Sequence, residues 1–318
     1  MYSVKYICGR VNVGFNQIFG GTPMTVHCIL KAFENSEQYR IDPIDRRVFA
    51  KLEGDKFRDK FRKLTAGAEI IHVDDTLVLE KMFRAEMNPP QVIGVIARSP
   101  VKKYMGWACV YTPDWFYQSK VIRLNYAEEY NNKMDYRDKI KIIRHGVDVK
   151  YLHPNFKSVR KYILWAGAKN RPAKNYGLFE DIMSVVKLPE PYEFKVISSY
   201  NVNDYWRLLD ETALLINTSK YESFCCALFE AKSKGVVTIH KERLHDHFRI
   251  GHHHDGSEIQ VPYTVEGYAE AIEDILYYPE SKEYIKYLGE RQREYVLRTA
   301  TLDYMREDME EVYGQVII

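Results

Sequence analysis

No apolar run in this chain approaches the ~20 residues needed to cross a bilayer. No basic stretch followed by an apolar core opens it in the manner of a secretory leader. A cytoplasmic protein is therefore expected. Cysteine is scarce, five in 318 residues, and the spacing suits neither a disulfide framework nor a metal-ligand set. Cys8, Cys28 and Cys109 sit in apolar runs and read as small buried hydrophobes. A surplus of one charge is also missing: 46 Lys and Arg face 44 Asp and Glu. That balance argues against nonspecific nucleic-acid binding as the main task. Internal repeats and low-complexity tracts are absent. The run His252-His253-His254-Asp255 is the one place that invites a metal. Consecutive positions serve a tetrahedral site poorly, so it reads as a polar loop, and no cofactor or metal is expected.

What the chain has is alternation. Apolar strand patterns at Val4–Cys8, Ile70–Val73, Val92–Ile96, Lys120–Leu124 and Lys139–Ile143 are separated by helical patterns. A further strand spans 161–166, and three helices follow at 265–277, 280–297 and 302–313. This is the pattern of parallel sheets covered by helices on both faces. At 318 residues the chain suits two domains, each able to bury a core. Periodicity breaks near Gly146 and Pro154, which places a linker at 146–159. The expected division is 1–150, 151–300, and a terminal helix at 301–318.

The most informative segment is Tyr221-Glu222-Ser223-Phe224-Cys225-Cys226-Ala227-Leu228-Phe229-Glu230. It follows a buried strand pattern, Ala213-Leu214-Leu215-Ile216, and precedes another, Val236-Val237-Thr238-Ile239. It therefore lies at the carboxyl end of a parallel strand, where ligands of such sheets bind. Ser223 fits a helix N-cap, with Glu222 just before the helix and Glu230 about two turns inside it. Amides from Phe224 to Cys226 would then face a ligand, with the helix dipole behind them. Two carboxylates so placed suit vicinal hydroxyls of two polyols, such as a ribose and a hexose. By spacing alone, Glu222 and Glu230 fit solvated helix charges equally well.

Other features carry paired readings. Lys174-Asn175 at a helix start, with Lys169 and Arg171 nearby, suits a phosphate or a solvated basic loop. Gly20-Gly21 suits close backbone approach to an anion or a plain tight turn. His72 and Asp74 end a strand and suit acceptor orientation or simple capping. The basic stretch Lys56-Phe57-Arg58-Asp59-Lys60-Phe61-Arg62-Lys63 puts Phe57 and Phe61 on one helix face. That face packs into a core or touches an anionic membrane, with the core favoured.

The string from Ser219 through Val237 resembles the Glu-x(7)-Glu signature of retaining glycosyltransferases of family 4. Arg144-His145-Gly146-Val147-Asp148 with His153-Pro154 resembles the stretch where that family passes between domains. Ile163-Leu164-Trp165-Ala166-Gly167 with Lys174-Asn175 resembles the opening of its C-terminal domain. Phe19-Gly20-Gly21-Thr22 resembles its N-terminal Gly-Gly loop. The resemblance is closest over 143–240 and faint before it. It implies the GT-B fold, α/β with two Rossmann-like domains facing each other across a cleft. It also implies a nucleotide-diphosphate sugar donor, UDP- or GDP-linked, and an acceptor glycan, lipid or protein. Glu230 would then hold the ribose. Glu222, Ser223, Phe224, Cys225 and Cys226 would hold the sugar, and Gly20, Gly21, Lys169, Arg171 and Lys174 the diphosphate. Glu222, His72 and Asp74 would carry catalysis, without a metal.

The departures are specific. Ala168 stands where the family has Arg after Gly. Cys225 stands where Gly is usual. Ile197-Ser198-Ser199-Tyr200 replaces a Gly-rich loop. Ile96-Ala97-Arg98-Ser99 lacks the family's N-domain His. The lost Arg and the missing N-domain His motivate an alternative, a non-catalytic nucleotide-sugar or glycan binder on the same fold.

Overall fold

The computed structural model describes residues 1–8, 21–74, 78, 81–82, 85, 92–94, 111–113, 141–143, 145–155, 158–198, 201–220, 225–242 and 258–314. Two compact units emerge. One runs through Gly146 and takes in the segment from Leu302; the other spans Val147–Thr301.

In the first unit, β1 (Tyr2–Cys8) is flanked by β2 (Tyr39–Asp45) and β3 (Ile70–Val73), with β4 (Val92–Gly94) beyond. All three pairings are parallel. β3 is buried at every position, which accounts for its three aliphatic residues around His72. The sequence patterning gives no hint of β2. Its residues alternate with Arg40, Asp42 and Asp45, and Pro43 interrupts it. It forms because it lies at the sheet edge, where a missing N–H costs no ladder bond. β5 (Tyr111–Pro113) pairs in parallel with β6 (Lys141–Ile143). The strand expected at Lys120–Leu124 lies outside the described residues.

Helix α1 (Gly21–Ala32) and helix α2 (Gly54–Thr65) flank this sheet's strands in sequence. Phe57 and Phe61 of α2 are fully buried, packed edge-on or tilted against Phe49 at 5.6 and 5.9 Å between ring centroids. The core takes the apolar face of this helix, so none is left there for a membrane.

In the second unit, five parallel strands run in the order β11 (Ile259–Val261), β10 (Val237–Lys241), β9 (Thr212–Asn217), β7 (Tyr162–Ala166) and β8 (Glu193–Ile197). Between them come α3 (Tyr176–Val185), α4 (Val202–Asp210) and α5 (Cys226–Ser233), and α6 (Val265–Leu276) follows β11. The long α7 (Ser281–Thr299) follows, then α8 (Leu302–Gly314), which belongs to the first unit. There α8 buries Met305, Met309, Val312 and Tyr313 at helical spacing. Val147 N–H donates to Ala300 O at 2.9 Å and Val147 bridges Thr301, so the chain enters and leaves the second unit at adjacent points.

Helix α5 is anchored from its carboxyl end. Arg160 donates to the carbonyls of Lys234, at 2.7 Å, and Gly235; Arg293 donates to those of Ser233 and, at 2.9 Å, Leu152. Cations at a helix carboxyl end satisfy its orphan carbonyls and complement its dipole. Lys232 is wholly buried between the rings of Phe229 and Tyr295 and paired with Glu258. Burial pushes the Glu258 carboxyl up, but Lys232 and His240 outweigh it and hold it well below its usual range.

Gly235 ends the helix in the left-handed region, φ +66°, and α7 crosses against it at Gly289. A Cβ on Gly289 would lie 2.1 Å from the Gly235 carbonyl oxygen. Gly289→Ala should therefore force the two backbones apart, at a cost of about 1–3 kcal/mol. A thermal melt that matched wild type would show that this crossing is not tight.

Candidate functional site

The strand order of the second unit reverses between β7 and β9. From β7 the chain steps outward to β8, then returns to the other side of β7. Open parallel sheets bind ligands at such a switch point, outside the carboxyl ends of the strands. Two loops leave that edge side by side: the one after β7, carrying Lys169, Arg171 and Lys174, and the one after β9, leading to α5.

The β7 loop closes as a short 3-10 turn over Pro172–Lys174, and Asn175 then takes a left-handed conformation, φ 47°. That reversal starts α3. Lys169 and Arg171 are exposed and Lys174 is half-buried. The Lys169 ammonium lies 4.2 Å from the Tyr176 ring centroid. The first amides of α3 have no helical acceptors, so a cationic turn precedes an electropositive helix start.

The β9 loop ends at Cys225, which is left-handed too, φ 59°. This is the physical content of the glycine usual at that position, since the conformation costs a side-chain-bearing residue energy. Asn217 Nδ2 donates to Cys225 Sγ at 3.1 Å and Asn217 Oδ1 accepts from Ser219 N–H at 2.9 Å. The same geometry corrects the expected cap. The residue before the helix is Cys225, not Ser223, because a left-handed residue cannot lie inside a right-handed helix. Glu230 is thus the fifth residue of α5, closer to its start than the two turns expected.

Glu230 is 4% exposed. Burial pushes its carboxyl up to about 8, offset in part by the indole of Trp206 on α4. Among the described residues no ion pair holds it. Tyr205 OH, the neighbour of that indole, donates to Ala227 O at 2.7 Å and fixes α4 against the first turn of α5. Cys226 is half-buried at the helix start. Glu222, and with it Ser223 and Phe224, lies outside the described residues.

Gly21 is the first residue of α1, while Gly20 lies outside the described residues. The sheet of the first unit also reverses, between β1 and β3. Asp74 lies just past β3 at that switch point. Its N–H donates to Ile7 O at 2.7 Å, and its carboxylate accepts from Tyr6 OH at 2.8 Å. His72 is placed differently. It is wholly buried, its Nδ1 lies 2.9 Å from Tyr313 OH, and burial pushes it down to about 3. It stays neutral and ties α8 to β3. His145 is buried as well, 2.8 Å from Thr25 Oγ1 through Nε2, and pushed down to about 4. His252, His253 and His254 lie outside the described residues, and the described ones hold no cluster suited to a metal.

Sequence reasoning passed over Trp206 as a contact of Glu230, and over Thr218 and Tyr263, which tie the two loops together. Their hydrogen bonds span elements far apart in the chain, and no local pattern announces them.

Neither a family model nor a curated protein sequence matches the chain. Solved structures do. A sucrose-phosphate synthase from Thermosynechococcus elongatus superposes with a TM-score of 0.71 at 15% identity, covering 99% of each chain. An α-glucosyltransferase in complex with UDP and a 13-mer DNA containing an HMU base gives 0.67 at 9%, covering 98% of this chain and 99% of that one. Anabaena HepE in complex with UDP and glucose gives 0.67 at 10%, with the same coverage. These are GT-B glycosyltransferases, and this chain has their α/β fold of two Rossmann-like domains.

The state of Glu230 makes a pH prediction. An unfolded Glu loses its proton near 4.5, whereas the folded residue keeps it to about 8. Between those values the folded chain holds one more proton, so raising the pH favours unfolding. Glu230→Gln removes this contribution. Its melting temperature relative to wild type should therefore rise between pH 5.5 and pH 8.5. A gap that stays constant with pH would mean that the carboxyl is not buried.

Proposed function

We propose that this chain is a retaining glycosyltransferase. It moves a hexose from a UDP- or GDP-linked donor to an acceptor hydroxyl on a glycan, lipid or protein. The observation that carries this reading is the edge between β7 and β9. There a cationic turn at Lys174 adjoins the loop that leads to a helix bearing a buried carboxyl at Glu230, held by no ion pair among the described residues. The fold shared with UDP-bound transferases supports it.

Each residue then has a task. Glu230 accepts hydrogen bonds from the ribose hydroxyls, and its low solvent exposure strengthens them. Lys174, with Lys169 or Arg171 supplying the cation missing at Ala168, neutralises the leaving diphosphate. The chain's own cations supply that charge, so a divalent metal is not required for it. Glu222, Ser223, Phe224 and the amides of Cys225 and Cys226 hold the hexose. As the bond to the diphosphate stretches, positive charge grows at the anomeric carbon, and stabilising it is the task assigned to the Glu222 carboxylate. Asp74, just past β3, is assigned the acceptor hydroxyl. His72 acts at one remove, by holding α8 on β3. Gly20 and Gly21 let backbone approach the diphosphate at the start of α1.

Loss of Glu230 should be felt by the nucleotide alone. Glu230→Ala should weaken UDP or GDP binding by about 1.5–3 kcal/mol in calorimetry. Lys174→Ala should weaken the diphosphate and spare the nucleoside. Unchanged affinity in both variants would remove the site from this edge.

Glu222→Gln should spare free nucleotide and lower donor turnover, with part of the loss in kcat if the interaction strengthens in the transition state. Wild-type transfer kinetics in this variant would return Glu222 to a surface charge. A wild-type chain that binds a nucleotide sugar and never consumes it would favour the non-catalytic binder.

A further inference from the structure

The loops that carry the two halves of this site are joined by a closed ring of hydrogen bonds. Trp165 on β7 donates from Nε1 to Thr218 Oγ1 at 2.9 Å. That hydroxyl in turn donates to the carbonyls of Lys174 and Asn175, each at 3.0 Å. Asn175 Nδ2 donates to Tyr263 OH at 2.7 Å, and Tyr263 OH donates to the backbone carbonyl of Thr218 at 2.8 Å. Lys220 N–H donates to Ala173 O at 2.8 Å, a further stitch between the same loops. Thr218 is 1% exposed and Trp165 2%.

Four separate elements meet at this one residue: strand β7 and the turn before α3 at its hydroxyl, the end of β9 that carries it, and the segment before α6 at its backbone carbonyl. The geometry has a direct consequence. The carbonyls of Lys174 and Asn175 are held back against Thr218. This fixes the left-handed reversal at Asn175, and with it the start of α3. A threonine hydroxyl can accept from an indole and donate to a carbonyl at once, which neither valine nor alanine can do. Because the group is buried, its loss would leave the indole and both carbonyls without that partner.

We infer that Thr218, seated by Trp165 and Tyr263, is the positioning residue of the diphosphate site. It holds the Lys174 turn in register with the loop that leads to Glu222 and Glu230. The inference rests on the donor site proposed above and adds what sets its geometry. Thr218 acts through the turn, not by touching the ligand. Preorganisation of this kind is felt by the phosphate-binding half and not by the nucleoside.

The test is titration of UDP, GDP, uridine and guanosine into wild type, Thr218→Val, Thr218→Ser, Tyr263→Phe, Lys174→Ala and the Thr218→Val/Lys174→Ala double variant. Thr218→Val and Tyr263→Phe should each weaken the preferred diphosphate about tenfold and leave its nucleoside unchanged. Thr218→Ser keeps the hydroxyl and should restore affinity. In the Lys174→Ala background Thr218→Val should add less than about twofold, because both act on one turn. Thermal melts identify any variant that has not folded, and Tyr263→Phe opens the ring from its other side should Thr218→Val fail to fold. Three results would overturn the inference: diphosphate affinity unchanged in folded Thr218→Val and Tyr263→Phe, equal losses for nucleoside and diphosphate, or full additivity with Lys174→Ala. A wild-type chain that binds neither diphosphate overturns the donor site itself, and the inference with it.

Discussion

The pairing of β7 with β9 decides where everything else in the second unit goes. These strands are neighbours in the sheet although β8 and α4 lie between them in sequence. Because both run the same way, the loops that follow them leave from one edge. Because the strand order reverses across that pair, the crevice outside it is where open parallel sheets bind ligands. A turn with three cations and a helix start with a buried carboxyl thereby become neighbours. Neither loop alone would make a site.

The helix that bears Glu230 is held in a way that suits this placement. Its carboxyl end is capped by Arg160 and Arg293, and its flank is locked by the buried pair of Lys232 and Glu258. Burying an ion pair costs desolvation, and the return is a helix fixed in orientation more than one gained in stability. Its amino end carries the opposite character: a left-handed Cys225, strained and held by Asn217, and amides with no helical acceptor. A helix held firmly from behind suits the presentation of groups to a ligand at its start.

Much of this was legible in the sequence where the cause is local. The continuous apolar run Ala213–Ile216 of β9 announces a strand covered on both faces. The spacing of Met305, Met309 and Val312 announces a helix with one buried side. Gly235 announces the end of α5, and its positive φ is the reason. What was not legible depends on contacts across the chain. The edge strand β2 hides behind Pro43 and its acidic residues. The left-handed turn at Cys225 moves the start of α5 two residues past Ser223. His72 reads as a strand-end polar group, and only the return of α8 covers it with Tyr313. Glu230 is pushed up by burial, and the indole that partly offsets this, Trp206, comes from a helix that precedes β9.

The central claim is that the edge between β7 and β9 holds a nucleoside diphosphate. A crystal grown with UDP, or with GDP should that bind better, tests it most directly. The account predicts the diphosphate beside the Lys174 turn and the ribose hydroxyls within about 3.2 Å of the Glu230 carboxyl, the limit of an ordinary hydrogen bond. A nucleotide bound with its ribose away from Glu230 and its phosphates away from Lys174 would contradict it.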